Sequence, residues 1–182
     1  MPLPRRALLA APLLLPAAAH AQAWAPQRPL RMIVPFAPGG STDVGGRIIA
    51  ERLSETLGQP VVVENRTGAG GAVGIEAAAR SPADGHTLLV ATNGAFTLQP
   101  HLGLLRTVDP RRDLAVVSLI FTTDVIVVVH PGVPARTLPE FIAWARANPG
   151  RVSFATSGVG TGTHIFTELF MAVTGTQMVH VP

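Results

Sequence analysis

Three times in this chain an apolar run stops at a cluster of glycine, serine and threonine, and a helical pattern starts directly behind it. The junctions are Pro38-Gly-Gly-Ser-Thr-Asp43, Arg66-Thr-Gly-Ala-Gly-Gly71 and Ser157-Gly-Val-Gly-Thr-Gly-Thr163. A strand that feeds a helix rejoins its own sheet by a crossover, which sets the next strand parallel to it. Repetition of that unit predicts an α/β fold, a parallel sheet with helices on its faces. Residues 30–34 read as a buried strand. Across 44–57, Val44, Ile48, Ile49, Leu53 and Leu57 fall at near-helical spacing, with Arg47, Glu51, Arg52 and Glu55 opposite and Gly58 as the stop. Further strands are expected at 61–63 and 87–91, with an alanine-rich helix at 71–80 between them.

After that the alternation lapses. Residues 93–113 read as a loop carrying a short helix, and 114–121 and 125–130 as two extended runs that pair or cross between lobes. A helix at 138–148, a strand at 152–155, a helix at 163–173 and a strand at 178–181 form the next unit. The expectation is a fragment, whose second lobe has too few strands to cover Phe154, Ile165, Phe166, Leu169 and Phe170. Its organisation is then a leader at 1–23, a first α/β lobe at 24–121 and a partial second lobe at 122–182.

Composition narrows the chemistry. With 47% apolar and 14% charged residues in 182, the chain can build a packed core and is not of disordered type. Every cationic side chain is arginine, which excludes Schiff-base and P-loop lysine chemistry. The absence of cysteine excludes disulfides, thiolate catalysis and lipoprotein attachment. Past the leader the arginines are scattered, only Arg111 and Arg112 being adjacent, so no nucleic-acid partner is expected.

The first residues have the order of an export signal: Arg5-Arg6, an apolar core at 7–19, and small residues at Ala19, Ala21 and Ala23. Pro12 and Pro16 interrupt the core, which is also short of the ~20 residues that span a bilayer. The paired arginines lack the rest of a twin-arginine signal, so the general export route is the expectation. The mature protein should then begin near Gln22 or Trp24 and be soluble outside the cytoplasm.

The glycine junctions invite better-known readings that fail at single residues. Gly39-Gly-Ser41-Thr-Asp43 lacks the closing glycine of a nucleophile elbow. Gly68-Ala-Gly70-Gly-Ala-Val73 has valine where a dinucleotide fingerprint needs its third glycine, Gly158-Val-Gly160-Thr-Gly162-Thr163 misses by one position, and no junction is followed by Lys-Ser/Thr. No catalytic residue and no cofactor is therefore assigned. The histidines at 86, 101, 130, 164 and 180 show no ligand spacing, so no metal site is expected. The middle junction reads either as a tight connection or as functional.

The first and third junctions suit an anion. Glycine lets backbone N–H groups at a helix start approach a ligand, and the helix dipole favours negative charge there. A carboxylate fits, with Ser41, Thr42, Ser157, Thr161 and Thr163 adding hydroxyls. Asp43 reads as the cap of the following helix ahead of a ligand contact, and His164 as structural ahead of facing the cleft. Phe36 and Phe96 read as cleft walls or as core. A secreted α/β enzyme acting on a small anion is the alternative to a protein that binds the anion without reacting with it.

Taken in order, the segments 33–43, 57–66, 68–71, 83–85, 129–131, 147–150, 157–161 and 180–182 resemble the Bug family of periplasmic solute-binding proteins, the receptors of tripartite tricarboxylate transporters. They include Ile33-Val-Pro-Phe-Ala-Pro-Gly-Gly-Ser-Thr-Asp43, Leu57-Gly-Gln-Pro-Val-Val-Val-Glu-Asn-Arg66 and Ser157-Gly-Val-Gly-Thr161. The resemblance implies a two-lobed periplasmic-binding-protein (Venus-flytrap) fold, a carboxylate held largely by main-chain amides, and membrane permease subunits as partners of a monomer. Carried onto this chain, the site would comprise Phe36, Pro38, Gly39, Gly40, Ser41, Thr42 and Asp43, then Thr92 and Asn93, then Ser157, Gly158, Gly160, Thr161, Thr163 and His164. Thr67 stands where the family has proline, and His86 stands, at the surface, where it has an aromatic residue.

Overall fold

The structure is a computed structural model that describes residues 24–182; the expected leader at 1–23 lies outside the described residues. The first sheet takes β1 (Leu30–Val34) as its centre, with β2 (Val61–Asn65) on one side and β3 (Thr87–Leu89) on the other, all parallel. Leu30 pairs with Val61 and Arg31 with Thr87, which sets both registers. Helix α1 (Ser41–Leu57) makes the crossover from β1 to β2, and α2 (Ala72–Ala79) that from β2 to β3. Two short helices, α3 (Asn93–Thr97) and α4 (Pro110–Asp113), occupy the stretch read as a loop carrying one short helix.

Alternation along β1 supplies both faces with core. Met32 and Val34, two residues apart and on one face, join Ala50 of α1 and Val90, with Ile49, Leu53, Val61, Val63 and Leu88 around them. A second cluster, Ala72, Ile75, Ala95, Leu105 and Val108, packs on α2, with Leu89 and Leu114 at its edge. Helix α1 starts at Ser41, three residues before the apolar period, and ends at Gly58, whose φ of +65° gives a left-handed cap. His86 is not a surface residue: only 12% of its side chain is exposed, and its ring meets that of Trp24 edge-on at 5.6 Å.

The second sheet has two parallel strands, β4 (Val152–Ala155) and β5 (Met178–Val181), joined through α6 (Gly162–Thr174). Helix α5 (Leu138–Ala147) precedes it and is closed at its start by a capping box between Thr137 and Glu140. Phe141 and Ala145 are its buried residues, and the Phe141 ring stacks on Phe170 of α6 at 6.4 Å.

The runs 114–121 and 125–130, expected to be extended, join no ladder among the described residues. That corrects the expected pairing. The first run ends over a helix, with the Phe121 ring against α1 at Gly45, where a Cβ would collide with it. A strand is held by backbone bonds to a neighbouring strand, and neither run has such a partner among the described residues. Val116, Val117, Leu119, Ile126 and Val128 are left largely exposed.

Candidate functional site

All three glycine junctions lie at the carboxyl ends of parallel strands, the end at which ligands of open α/β sheets bind. At the first, Gly39 has φ +85° and Gly40 caps α1 with φ −73° and no side-chain cap bond. The N–H groups of Ser41, Thr42 and Asp43 therefore have no acceptor among the described residues. Pro38, Gly39, Gly40 and Ser41 are exposed, while Thr42 is buried.

Asp43 is neither the helix cap nor turned to solvent. Because α1 begins at Ser41, Asp43 falls within its first turn. Its carboxylate accepts from Gly39 N at 2.9 Å, from Arg47 Nε at 3.0 Å and from Asn65 Nδ2 at 2.8 Å. Asn65 also donates to the Phe36 carbonyl and accepts from Arg47. These donors, Arg47 foremost, then Gly39 and Asn65, hold the Asp43 carboxyl far below the usual carboxylate range. The cluster ties the turn to both β2 and α1.

The third junction braces itself with its hydroxyls. Thr161 Oγ1 donates to the Gly158 carbonyl at 2.7 Å, and Thr163 Oγ1 lies 3.1 Å from both Thr161 Oγ1 and Ser157 Oγ. Gly160 N donates to His164 Nδ1 at 3.3 Å. Gly158 and Gly160 have φ of +124° and +75°, a region that L side chains rarely enter. Thr161 caps α6 without a side-chain bond, so the N–H groups of Gly162, Thr163 and His164 lack acceptors among the described residues.

The structure brings these junctions together unevenly. The middle one presses on the third: Gly70 leaves no room for a Cβ against the Val159 carbonyl, and a Cβ on Gly158 would sit 3.5 Å from Gly70 Cα. At the start of α3, beside Thr92 and Asn93, a Cβ on Gly94 would come within 2.8 Å of Gly162 N. The first junction reaches the others through Phe36, whose ring would lie 3.4 Å from a Cβ on Gly71. Phe36 and Phe96 are both half-buried.

Two features escape a reading of the sequence. The middle junction is packed against the third, and Gln99, wholly buried, donates to the Gly70 carbonyl with its Oε1 left without a partner. A glutamine outside any periodic segment gives no sign of burial, whereas the density of glycine at 68–71 was a usable sign of close approach. No group of three His, Cys, Asp or Glu able to hold a metal occurs among the described residues. The surface depressions lined by Ser54–Val61 and by Glu168–Met178 lie near the amino ends of β2 and β5, away from the glycine junctions.

Residues 46–182 match the model of the tripartite tricarboxylate transporter family receptor. BugT of Bordetella pertussis is 43% identical over 159 residues, which cover 86% of this chain and 48% of BugT. Among solved structures, MatC from Rhodopseudomonas palustris with bound malate aligns with a TM-score of 0.80 at 30% identity, over 86% of this chain and 53% of that one. Rpa4515 of R. palustris with adipate aligns at 0.69 and 31% identity, over 86% and 52%. The chain thus spans about half the length of the relatives it matches. The α/β fold is that of the two-lobed periplasmic binding proteins, and the chain belongs to the tripartite tricarboxylate transporter receptor family.

Proposed function

We propose that this chain captures a small carboxylate between its lobes, as the extracytoplasmic receptor of a tripartite tricarboxylate-type transporter. The observation that carries the reading is the pair of glycine-opened helix starts. Both α1 and α6 begin with three N–H groups that no acceptor among the described residues fills. Such ends carry partial positive charge and hydrogen-bond donors without a titrating side chain, which suits holding an anion without reacting with it. Relatives solved with malate and adipate support a carboxylate as that anion.

On this reading the first lobe, 24–121, contributes Phe36, Gly39, Gly40, Ser41 and Thr42 with Thr92 and Asn93. The second, 122–182, contributes Ser157, Gly158, Gly160, Thr161, Thr163 and His164. Asp43 acts behind them by holding the first turn. Export through a leader at 1–23, a monomeric state and docking to permease subunits complete the proposal. Calorimetric titration with malate, adipate and a tricarboxylate tests it: binding without turnover is expected, and turnover of the bound acid would overturn it.

A further inference from the structure

We infer that His164 makes carboxylate capture depend on pH by taking up a proton, and that His180, stacked on it, sets where that dependence falls. This rests on the carboxylate reading above. The two imidazoles lie face to face with centroids 4.1 Å apart, and the Phe154 ring closes the far side of His180 at 4.9 Å. Both rings are wired to the third glycine junction. His164 Nδ1 accepts from Gly160 N at 3.3 Å, while His180 Nε2 lies 2.7 Å from Thr156 Oγ1, which accepts from Gly158 N at 3.2 Å.

The hydrogen bond from Gly160 fixes the chemistry of His164. A ring that accepts at Nδ1 is neutral and carries its proton on Nε2, where Glu168 Oε1 stands 3.5 Å away. A second proton must go to Nδ1, which then becomes a donor facing a donor, so the Gly160 N–H is released. The same event places positive charge beside the start of α6. A released amide and a cation both favour a bound carboxylate.

The surroundings allow one proton, not two. Two imidazolium rings stacked at this distance would repel each other. The Glu168 carboxylate faces His164 Nε2. Of the neighbours of the pair, β4 brings Phe154, Thr156 follows that strand, and α3, which packs on α6, has no titratable residue. Histidine changes charge near neutral pH, whereas carboxylic acids remain ionised above about pH 6. Affinity should therefore rise on acidification.

The test is calorimetric titration of the whole chain with malate and with adipate at pH 8, 7 and 6, alongside NMR titration of the histidine rings and the Gly160 amide. Binding about fivefold tighter at pH 6 than at pH 8 is expected, by reciprocity between proton and ligand. His164→Asn, which can still accept from Gly160 but cannot charge, should be flat with pH. His180→Phe should keep the stack and move the rise to higher pH. A flat wild-type profile with binding intact, or an unchanged slope in His164→Asn, overturns the inference. Absence of binding at every pH sinks the carboxylate reading instead. The NMR arm then decides the pair: one shared proton with a moving Gly160 amide supports it, and two independent titrations with a static amide overturn it.

Discussion

The units β1–α1–β2 and β4–α6–β5 follow one plan, yet the first is buried and the second is not. Four of the five residues of β1 are buried, and α1 buries Thr42, Asp43, Gly46 and Ala50. β4 and β5 alternate between half-buried and exposed positions, and α6 has no buried residue. The junction chemistry is the same in both: a strand end, positive-φ glycines and an uncapped helix start. Local sequence therefore builds the glycine-opened turn by itself, whereas burial depends on neighbours. β1 has a strand on each side and helices over both faces; among the described residues β4 and β5 each keep an open edge.

The largest effect that could break this contrast is a core truncation. Ile33→Ala empties a site with no exposure, and such changes cost about 2–5 kcal/mol. Leu169→Ala on α6, where the side chain is 59% exposed, should stay within about 0.5 kcal/mol. Urea unfolding followed by circular dichroism compares them. Equal losses would mean that α6 is covered in solution.

Next comes the cradle. The two glycines at its centre are not equivalent, although the sequence presents them alike. Gly40 has φ −73°, which proline reproduces, so Gly40→Pro removes an N–H without forcing the backbone. Gly160 has φ +75°, which proline cannot adopt, so Gly160→Pro disrupts the loop and reports folding as well as binding. If the Gly40 amide contributes a charge-assisted bond of about 1.5–3 kcal/mol, Gly40→Pro should weaken carboxylate affinity about tenfold or more. Unchanged affinity in a folded Gly40→Pro protein would remove this amide from the cradle.

These cases show what a sequence can and cannot convey. Strands, helices and glycine turns were legible because apolar period and turn residues act within a few positions. The start of α1 was misplaced because Ser41 and Thr42 are not apolar, although they helically continue from Gly40. The role of Asp43 was half visible: residues 39, 43 and 47 stand at helical spacing, but Asn65 arrives from another strand. Pairing of 114–130 was not legible, because a valine run states only that it is extended and apolar. Its partner is a property of the whole fold.

A smaller effect concerns acid. The Asp43 carboxyl is held below its ordinary range by Arg47, Gly39 and Asn65. A depressed folded-state pKa contributes stability that is present above the unfolded value of about 3.9 and lost as pH falls toward the folded one. Melting temperature should therefore drop below about pH 4 in the wild type, and Asp43→Asn should flatten part of that fall. Parallel curves for the two proteins would show that the carboxylate adds nothing to the turn.

The smallest expected effect separates a main-chain cradle from a side-chain ion pair. Arg66 follows β2 at the mouth of the middle junction and is a natural rival partner for an anion. Its Nε instead donates to Glu64 Oε1 at 2.5 Å, and Arg31 stands 3.6 Å from the other Glu64 oxygen. Both side chains of the Arg66–Glu64 pair are partly exposed, at 46% and 31%, and exposed pairs contribute about 0–1 kcal/mol. With Arg31 still beside Glu64, Arg66→Ala leaves no isolated charge. Stability should change by less than about 1 kcal/mol, and carboxylate affinity by no more than about twofold, since no donor of the helix starts is touched. Abolished binding in a folded Arg66→Ala protein, with Gly40→Pro still binding, would mean that a guanidinium holds the acid and that the Gly40 amide does not.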